Sequence, residues 1–312
     1  MRRLALVLLA CTLLAACGSE ASAPRPRSAA KDSGNGDWPA VVGAANGRIR
    51  LPTRPRRVVS LSPSATEILF AVGAGDQVIA VDDNSDYPSR APTTKLSGYD
   101  PNVEAIASYE PDLVVVSDDT GNVVAALKKL KIPVIVQPAP AGLHDVYAQV
   151  RQLGAATGNR AAADAVVERM LARVRALVAS APDAEGSPTY YHELDQSYFS
   201  VTSDTFIGRI YELFGLRNIA DGAKGAGSGY PQLSAEHIIS SDPDLIFLAD
   251  AECCGVTAAK VAARPGWDRL SAVRAGNIHE LDEDVASRWG PRIVELVRAV
   301  ARAVTQLEGA RS

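Results

Sequence analysis

Residues 102–116 align without a gap with residues 234–248, and six of the fifteen positions are identical. The shared residues are Glu104 with Glu236, Ile106 with Ile238, Ser108 with Ser240, Pro111 with Pro243, Asp112 with Asp244 and Leu113 with Leu245. A Gly-Tyr pair precedes each copy, Gly98-Tyr99 and Gly229-Tyr230. An offset of 132 residues is far beyond the repeat length of a solenoid, so the chain consists of two similar halves. A helix running through Pro-Asp into a strand is a common α/β connection. That alone accounts for the Pro-Asp, but not for the matched glutamates and Gly-Tyr pairs.

Each half alternates short aliphatic runs with helical periodicity. Strands are expected at 57–61, 78–81, 112–116 and 133–136 in the first half, with helices after Ser62-Pro63 and at 123–130. The second half gives strands at 189–193, 198–201, 245–248 and 277–281, and helices at 206–214, 266–273 and 291–307. Buried strands alternating with helices predict an α/β fold with parallel sheets covered on both faces. Between the halves, 143–157 and 160–181 carry helical periodicity without an intervening strand. The second of these helices would run about 30 Å, enough to bridge two lobes. The expected organisation is an N-terminal lobe at 51–158, a bridging helix at 159–181 and a C-terminal lobe at 182–312. Apolar residues make up 47% and charged residues 22%, which suits a buried core and excludes disorder. A formal charge of −4 supplies no basic field for nucleic acid.

The N-terminus has its own logic. Arg2 and Arg3 precede an apolar run at 4–16 that is too short to span a bilayer and fits a secretory signal. Residues 1–16 are therefore expected to be a signal peptide. It ends Leu14-Ala15-Ala16-Cys17-Gly18, which resembles a bacterial lipobox and makes Cys17 the expected lipid anchor; an ordinary cleavage site that happens to precede a cysteine is the alternative. Removing 1–16 takes away two arginines and no acid, so the formal charge becomes −6. Residues 17–50, rich in Ser, Ala, Pro and Gly at their start, are expected to form a flexible tether.

Residues 57–67, Ser85-Asp86-Tyr87-Pro88, 98–104, 230–236 and 287–292 resemble the ABC-importer substrate-binding lipoproteins that bind cobalamin, ferric siderophores or haem. The resemblance covers about residues 56–307. It implies two Rossmann-like lobes joined by one long helix, the periplasmic-binding-protein fold of the iron and B12 type, with the ligand in the cleft between them. It also implies a monomer without catalysis or resident cofactor, whose cargo is a corrinoid or an iron chelate and whose partner is a permease dimer with its ATPase subunits. Loops that follow strands face such a cleft, which places 62–66, 82–86, 117–120, 193–198 and 283–289 near the ligand.

By this resemblance Tyr99 and Tyr230 flank the ligand, one from each lobe; alone, either is equally a half-buried packing residue. Asp284, Arg288 and Trp289 precede the last helix. There Arg288 could serve as a donor fork and Trp289 as a stacking surface, or Arg288 could pair with Asp284 while Trp289 packs in the core. Asn84 and Ser117 stand where cobalamin-binding members carry aromatics. Glu104 and Glu236 match the acids that dock such proteins to permease arginines; two solvated acids favoured by their helix dipoles are the bland alternative.

Cys253 and Cys254 are adjacent, so they form either a vicinal disulfide or two small unpaired side chains. Zinc is not expected, because no CxxC pair occurs and the histidines are scattered. G-x-S-x-G, HExxH, P-loop and G-x-G-x-x-G motifs are absent from the sequence, which leaves a tethered hydrolase without a motif. A passive surface-interaction protein would bind no small molecule at all.

Overall fold

The computed structural model describes residues 38–311. They open with an antiparallel hairpin of β1 (Ala40–Ala44) and β2 (Gly47–Leu51), in register from Ala40 opposite Leu51 to Ala44 opposite Gly47. Ala40, Val42 and Leu51 are buried, while Val41 faces water. At the turn, the Asn46 amide donates to the Val134 carbonyl at 2.9 Å and its oxygen accepts from the Val136 amide at 3.1 Å. The expected tether through residue 50 is thus corrected, since residues 40–51 belong to the folded body. These anchors lie 88 and 90 residues away in sequence, beyond the reach of local periodicity. The signal peptide, Cys17 and the rest of the expected tether up to residue 37 fall outside the described residues.

The N-terminal lobe follows with β3 (Val58–Leu61), α1 (Pro63–Ala71), β4 (Val78–Val81), α2 (Val103–Ser108), β5 (Leu113–Val116), α3 (Val123–Lys129) and β6 (Val134–Val136). Its sheet is parallel in the order β4-β3-β5-β6. Every residue of β3, β5 and β6 is buried, as strands covered on both faces must be. Two long helices come next, α4 (Leu143–Thr157) and α5 (Arg160–Ser180). The C-terminal lobe contains β7 (Thr189–Glu193), α6 (Phe206–Glu212), β8 (Arg217–Asn218), α7 (Ala235–Ser241), β9 (Leu245–Leu248) and α8 (Ala251–Cys254). It continues through α9 (Ala258–Ala262), α10 (Ser271–Ala275), β10 (Ile278–Glu280), α11 (Glu283–Ser287) and α12 (Ile293–Arg311). Its sheet, β10-β9-β7-β8, is also parallel.

The two sheets have the same strand order when β3 is matched with β7 and β5 with β9, and the repeated sequence explains the match. Asn102 caps α2 by accepting from the Ala105 amide, and Ser234 caps α7 by accepting from the His237 amide. The repeated aspartate then ties the following strand to its neighbour. Asp112 accepts from the Arg56 and Arg57 amides at 2.7 and 2.9 Å at the start of β3, and Asp244 accepts from the Thr189 amide at 2.8 Å at the start of β7. Even the strained corner recurs, with Glu110 at φ 49° and Asp242 at φ 40°.

Two expected elements differ. Residues 198–201 form no sheet strand; Phe199 makes an isolated bridge to Gln232, and the Ser200 and Leu233 amides bond to the Pro231 and Tyr198 carbonyls. This segment pairs with a loop instead of a sheet. The helix expected at 266–273 is broken at Leu270, which is extended (φ −60°, ψ 138°) between a 3-10 turn and α10. Asp242 stabilises that break by accepting from the Ser271 amide and hydroxyl at 2.6 and 2.8 Å.

The lobes share their largest apolar cluster, and each has a smaller one of its own. α5 buries Ala163, Val166, Val167, Met170 and Val174, a stripe at helical spacing. These residues join Ile68 and Val115 of the first lobe, Tyr190 and Phe247 of the second, and Val297, Val300 and Val304 of α12 in a single cluster.

Candidate functional site

Both sheets run parallel, so the carboxyl ends of their strands present loops at one edge of each lobe. In the N-terminal lobe these loops line a cleft of about 560 Å³. Ser62 and Ser64 come after β3, Asp82 and Asn84 after β4, Ser117 and Asp118 after β5, and Pro138 and Ala139 after β6. The opposite wall comes from α11 and the turn after it, through Glu283, Asp284, Arg288 and Trp289.

Tyr99 projects into this cleft and is 83% exposed. Gly98 makes that projection feasible, because a Cβ there would lie 2.8 Å from the Leu61 carbonyl oxygen and 3.0 Å from Asp82 Oδ2. The loop therefore presses its backbone onto the ends of β3 and β4 and turns the tyrosine outward. Asp82 is itself buried and accepts the Ser85 hydroxyl proton. Burial pushes its carboxyl up to about 6, against the lowering effect of that hydrogen bond.

Arg288 is committed to protein carboxylates. Its guanidinium meets Asp284 at 2.5 Å, Asp86 at 2.8 Å and the Asn84 carbonyl at 3.0 Å, and its side chain is only 12% exposed. The expected donor fork for a ligand is thus an ion-pair clasp between α11 and the loop after β4. Beside it, Arg292 donates to Glu67 Oε1 from Nε at 3.1 Å and from Nη2 at 2.6 Å, and lies 4.0 Å over the Tyr87 ring. Burial raises the Glu67 carboxyl from its ordinary value, although Arg292 and Arg288 oppose the shift. Gly290 fits tightly against this acid, since a Cβ would sit 2.6 Å from Glu67 Oε2. Trp289 is half-buried against the core, its amide donating to the Ser64 hydroxyl at 3.1 Å while its ring borders the cleft.

The second lobe contributes less than its sequence suggests. Tyr230 is 47% exposed but does not line the cleft, and neither does any of residues 193–198. The end of β7 is closed by Arg264, which grips the fully buried Glu193 at 2.5 and 2.6 Å and packs over the Tyr198 and Trp267 rings. Asp250 follows β9, and burial, then Glu193, pushes its carboxyl up to about 6. Cys253 and Cys254 are joined in a disulfide at the end of α8, and the Cys253 amide donates to Glu283 at 3.1 Å. Glu104 and Glu236 are exposed in the first turns of α2 and α7. The Ser234 hydroxyl assists the Glu236 backbone amide in holding that carboxyl below its ordinary value.

Six expected residues, Asn84, Tyr99, Ser117, Asp284, Arg288 and Trp289, thus converge on one cleft. Glu67, Arg264 and Arg292 were not singled out. An acid in a first helical turn gives no sign in sequence that it will be buried, and only the pairing of Arg288 and Arg292 around a single turn hints at a network. No histidine lines the cleft, and its serines stand among the carboxylates of Asp82, Asp118, Glu283 and Asp284. Among the described residues no cluster of three or more His, Cys, Asp or Glu could hold a metal ion.

Two parallel α/β lobes on a helical bridge, with strand-end loops lining a cleft, have the layout of a binding protein. The chain belongs to the periplasmic binding protein family, which matches residues 58–285. It is 30% identical over 310 residues to the uncharacterized ABC transporter substrate-binding lipoprotein YvrC of Bacillus subtilis, covering 96% of this chain and 95% of that one. A cobalamin-binding protein of Halobacterium salinarum is 33% identical over 308 residues, covering 96% and 83%. The structure of the periplasmic vitamin B12-binding protein BtuF of Vibrio cholerae superposes with a TM-score of 0.66 at 25% identity, covering 83% of this chain and 99% of that one. The chain is accordingly a class III substrate-binding protein of the ABC-importer type.

Proposed function

We propose that the chain captures a cobalamin-type corrinoid in the inter-lobe cleft and delivers it to an ABC permease. The carrying observation is the charge of the cleft lining. Asp82, Asp118, Glu283 and Asp284 line it, and its one cation, Arg288, is already shared among carboxylates. Such a wall disfavours the carboxylates of haem or of an anionic chelate and suits a macrocycle rimmed by neutral amides. Tyr99 supplies an aromatic surface with a polar tip, and Asn84 and Ser117 supply amide and hydroxyl partners. The 33% identity to a protein named for cobalamin binding supports the same ligand.

Delivery would use Glu104 and Glu236 as matched docking acids, and Cys17 would hold the protein to the extracytoplasmic face of the membrane through lipid. No resident cofactor is needed, since the corrinoid is cargo. Calorimetry with cyanocobalamin, haemin and a ferric hydroxamate tests the ligand. Binding of cyanocobalamin alone is expected. Binding of only haemin or the hydroxamate would reject the corrinoid and keep the importer role, and failure of all three would reject the whole ligand assignment.

A further inference from the structure

On the side formed by α5 and α12, the two helices enclose a groove of about 640 Å³ with a character unlike the cleft. Its floor is apolar, with Val166, Met170 and Val294 buried beneath it. Its walls are arginines: Arg169 and Arg173 one turn apart on α5, and Arg298 on α12, with Arg302 one turn further on. Arg298 pairs with Glu295. Among the described residues, Arg169, Arg173 and Arg302 have no carboxylate at ion-pair distance. Burial, then repulsion from Arg173 and Arg302, pulls the Arg298 guanidinium below its ordinary value. The groove is thus locally positive on a chain whose formal charge is −4 overall.

We propose that the α5–α12 face docks onto anionic phospholipid headgroups, whose phosphates seat between Arg169, Arg173 and Arg298. Guanidinium forks are suited to phosphate oxygens, and each basic side chain near an anionic leaflet adds to membrane attraction. The geometry rests on the tethered reading of the N-terminus. Twenty residues, 18–37, separate Cys17 from Trp38, a reach of about 70 Å if extended. The folded body begins at β1, which packs on α4, and α4 in turn packs on α5. The anchor is therefore long enough to let this helical face lie on the membrane. Glu104 and Glu236, on α2 and α7, remain free for a separate docking event.

The test is co-sedimentation of the unlipidated chain from residue 18 with vesicles of phosphatidylglycerol and phosphatidylcholine in equal parts, or of phosphatidylcholine alone. The protein should bind only the anionic vesicles and be released at about 0.5 M salt, where screening is short-ranged. Arg169→Glu with Arg173→Glu should weaken binding about tenfold or more, and Arg302→Glu should weaken it in the same direction. Arg48→Glu with Arg50→Glu, the same charge change on β2, should leave it intact. Undiminished binding by the α5 variant, an equal loss in the β2 control, or displacement by millimolar inorganic phosphate would overturn the proposal. No corrinoid enters this experiment, so its outcome is separate from that of the ligand assignment.

Discussion

Arg288 Nη1 donates to Asp86 Oδ1 at 2.8 Å, joining residues 202 positions apart and closing one side of the cleft. The same guanidinium lies 3.7 Å from Glu67 and 2.5 Å from Asp284. Removing it leaves three carboxylates close together with less counter-charge. Arg288→Ala should therefore lower stability by about 2–4 kcal/mol in a denaturant titration. A loss below about 0.5 kcal/mol would show that water replaces the clasp without cost.

Asp86 and Asp82 should respond to pH in opposite senses. Burial alone would raise Asp86, but the hydrogen bond and charge of Arg288 outweigh it and hold Asp86 below its ordinary value. Its stabilisation is present above the ordinary carboxylate range and lost as pH falls through the folded value. Asp82 is raised from 3.8 to about 6, so its contribution is greatest below 3.8 and lost as pH rises through about 6. That loss amounts to about 3 kcal/mol. Asp82→Asn should flatten the decline in stability between pH 4 and about 7, leaving the share of Asp250, which is also pushed to about 6. An unchanged slope in pH-dependent melting would contradict this.

Gly98 and Gly290 hold the two walls of the cleft against what lies behind them. Gly98→Ala meets backbone at 2.8 Å, and Gly290→Ala meets Glu67 Oε2 at 2.6 Å. Each should cost about 1–3 kcal/mol by overpacking. Gly98→Ala should additionally weaken cyanocobalamin binding by displacing Tyr99, which calorimetry on the folded variant would reveal.

The repeat makes a paired prediction. Asp112→Ala frees the Arg56 and Arg57 amides and Asp244→Ala frees the Thr189 amide and hydroxyl, each at the start of a neighbouring strand, and each should cost about 1–3 kcal/mol. If only one of the two is costly, the repeated aspartates do not have the same role.

Charge reversal of Glu104 and Glu236 together should abolish corrinoid uptake by cells while leaving the affinity of the purified protein unchanged. Normal uptake would exclude these acids from permease docking.

The repeat was readable because its residues act locally: Asn102 and Ser234 cap helices three residues away, and Pro-Asp stops one element and starts the next. The parallel sheets followed from aliphatic runs alternating with helices. The hairpin at 40–51 was missed because Asn46 and Gln152 hold it from distant sequence. Tyr198 was misplaced for a similar reason, since its stack on Trp267 and contact with Arg264 turn a loop expected in the cleft into packing. At Arg288 the sequence identified the residue and left two roles open. Which role prevails depends on Asp86, a partner that only the folded chain brings near.

The interior that runs unbroken from Ile68 through Met170 to Phe247 and Val300 limits how this molecule can be divided. Each half buries a smaller apolar cluster of its own, around Ile106 and Leu127 in the first and around Tyr191 and Trp267 in the second, but the largest cluster belongs to both. A chain cut near residue 181 would expose part of the shared apolar surface in both fragments, so each piece alone should fold poorly. Calorimetric unfolding of the whole should give one transition, in which the halves gain and lose their order together.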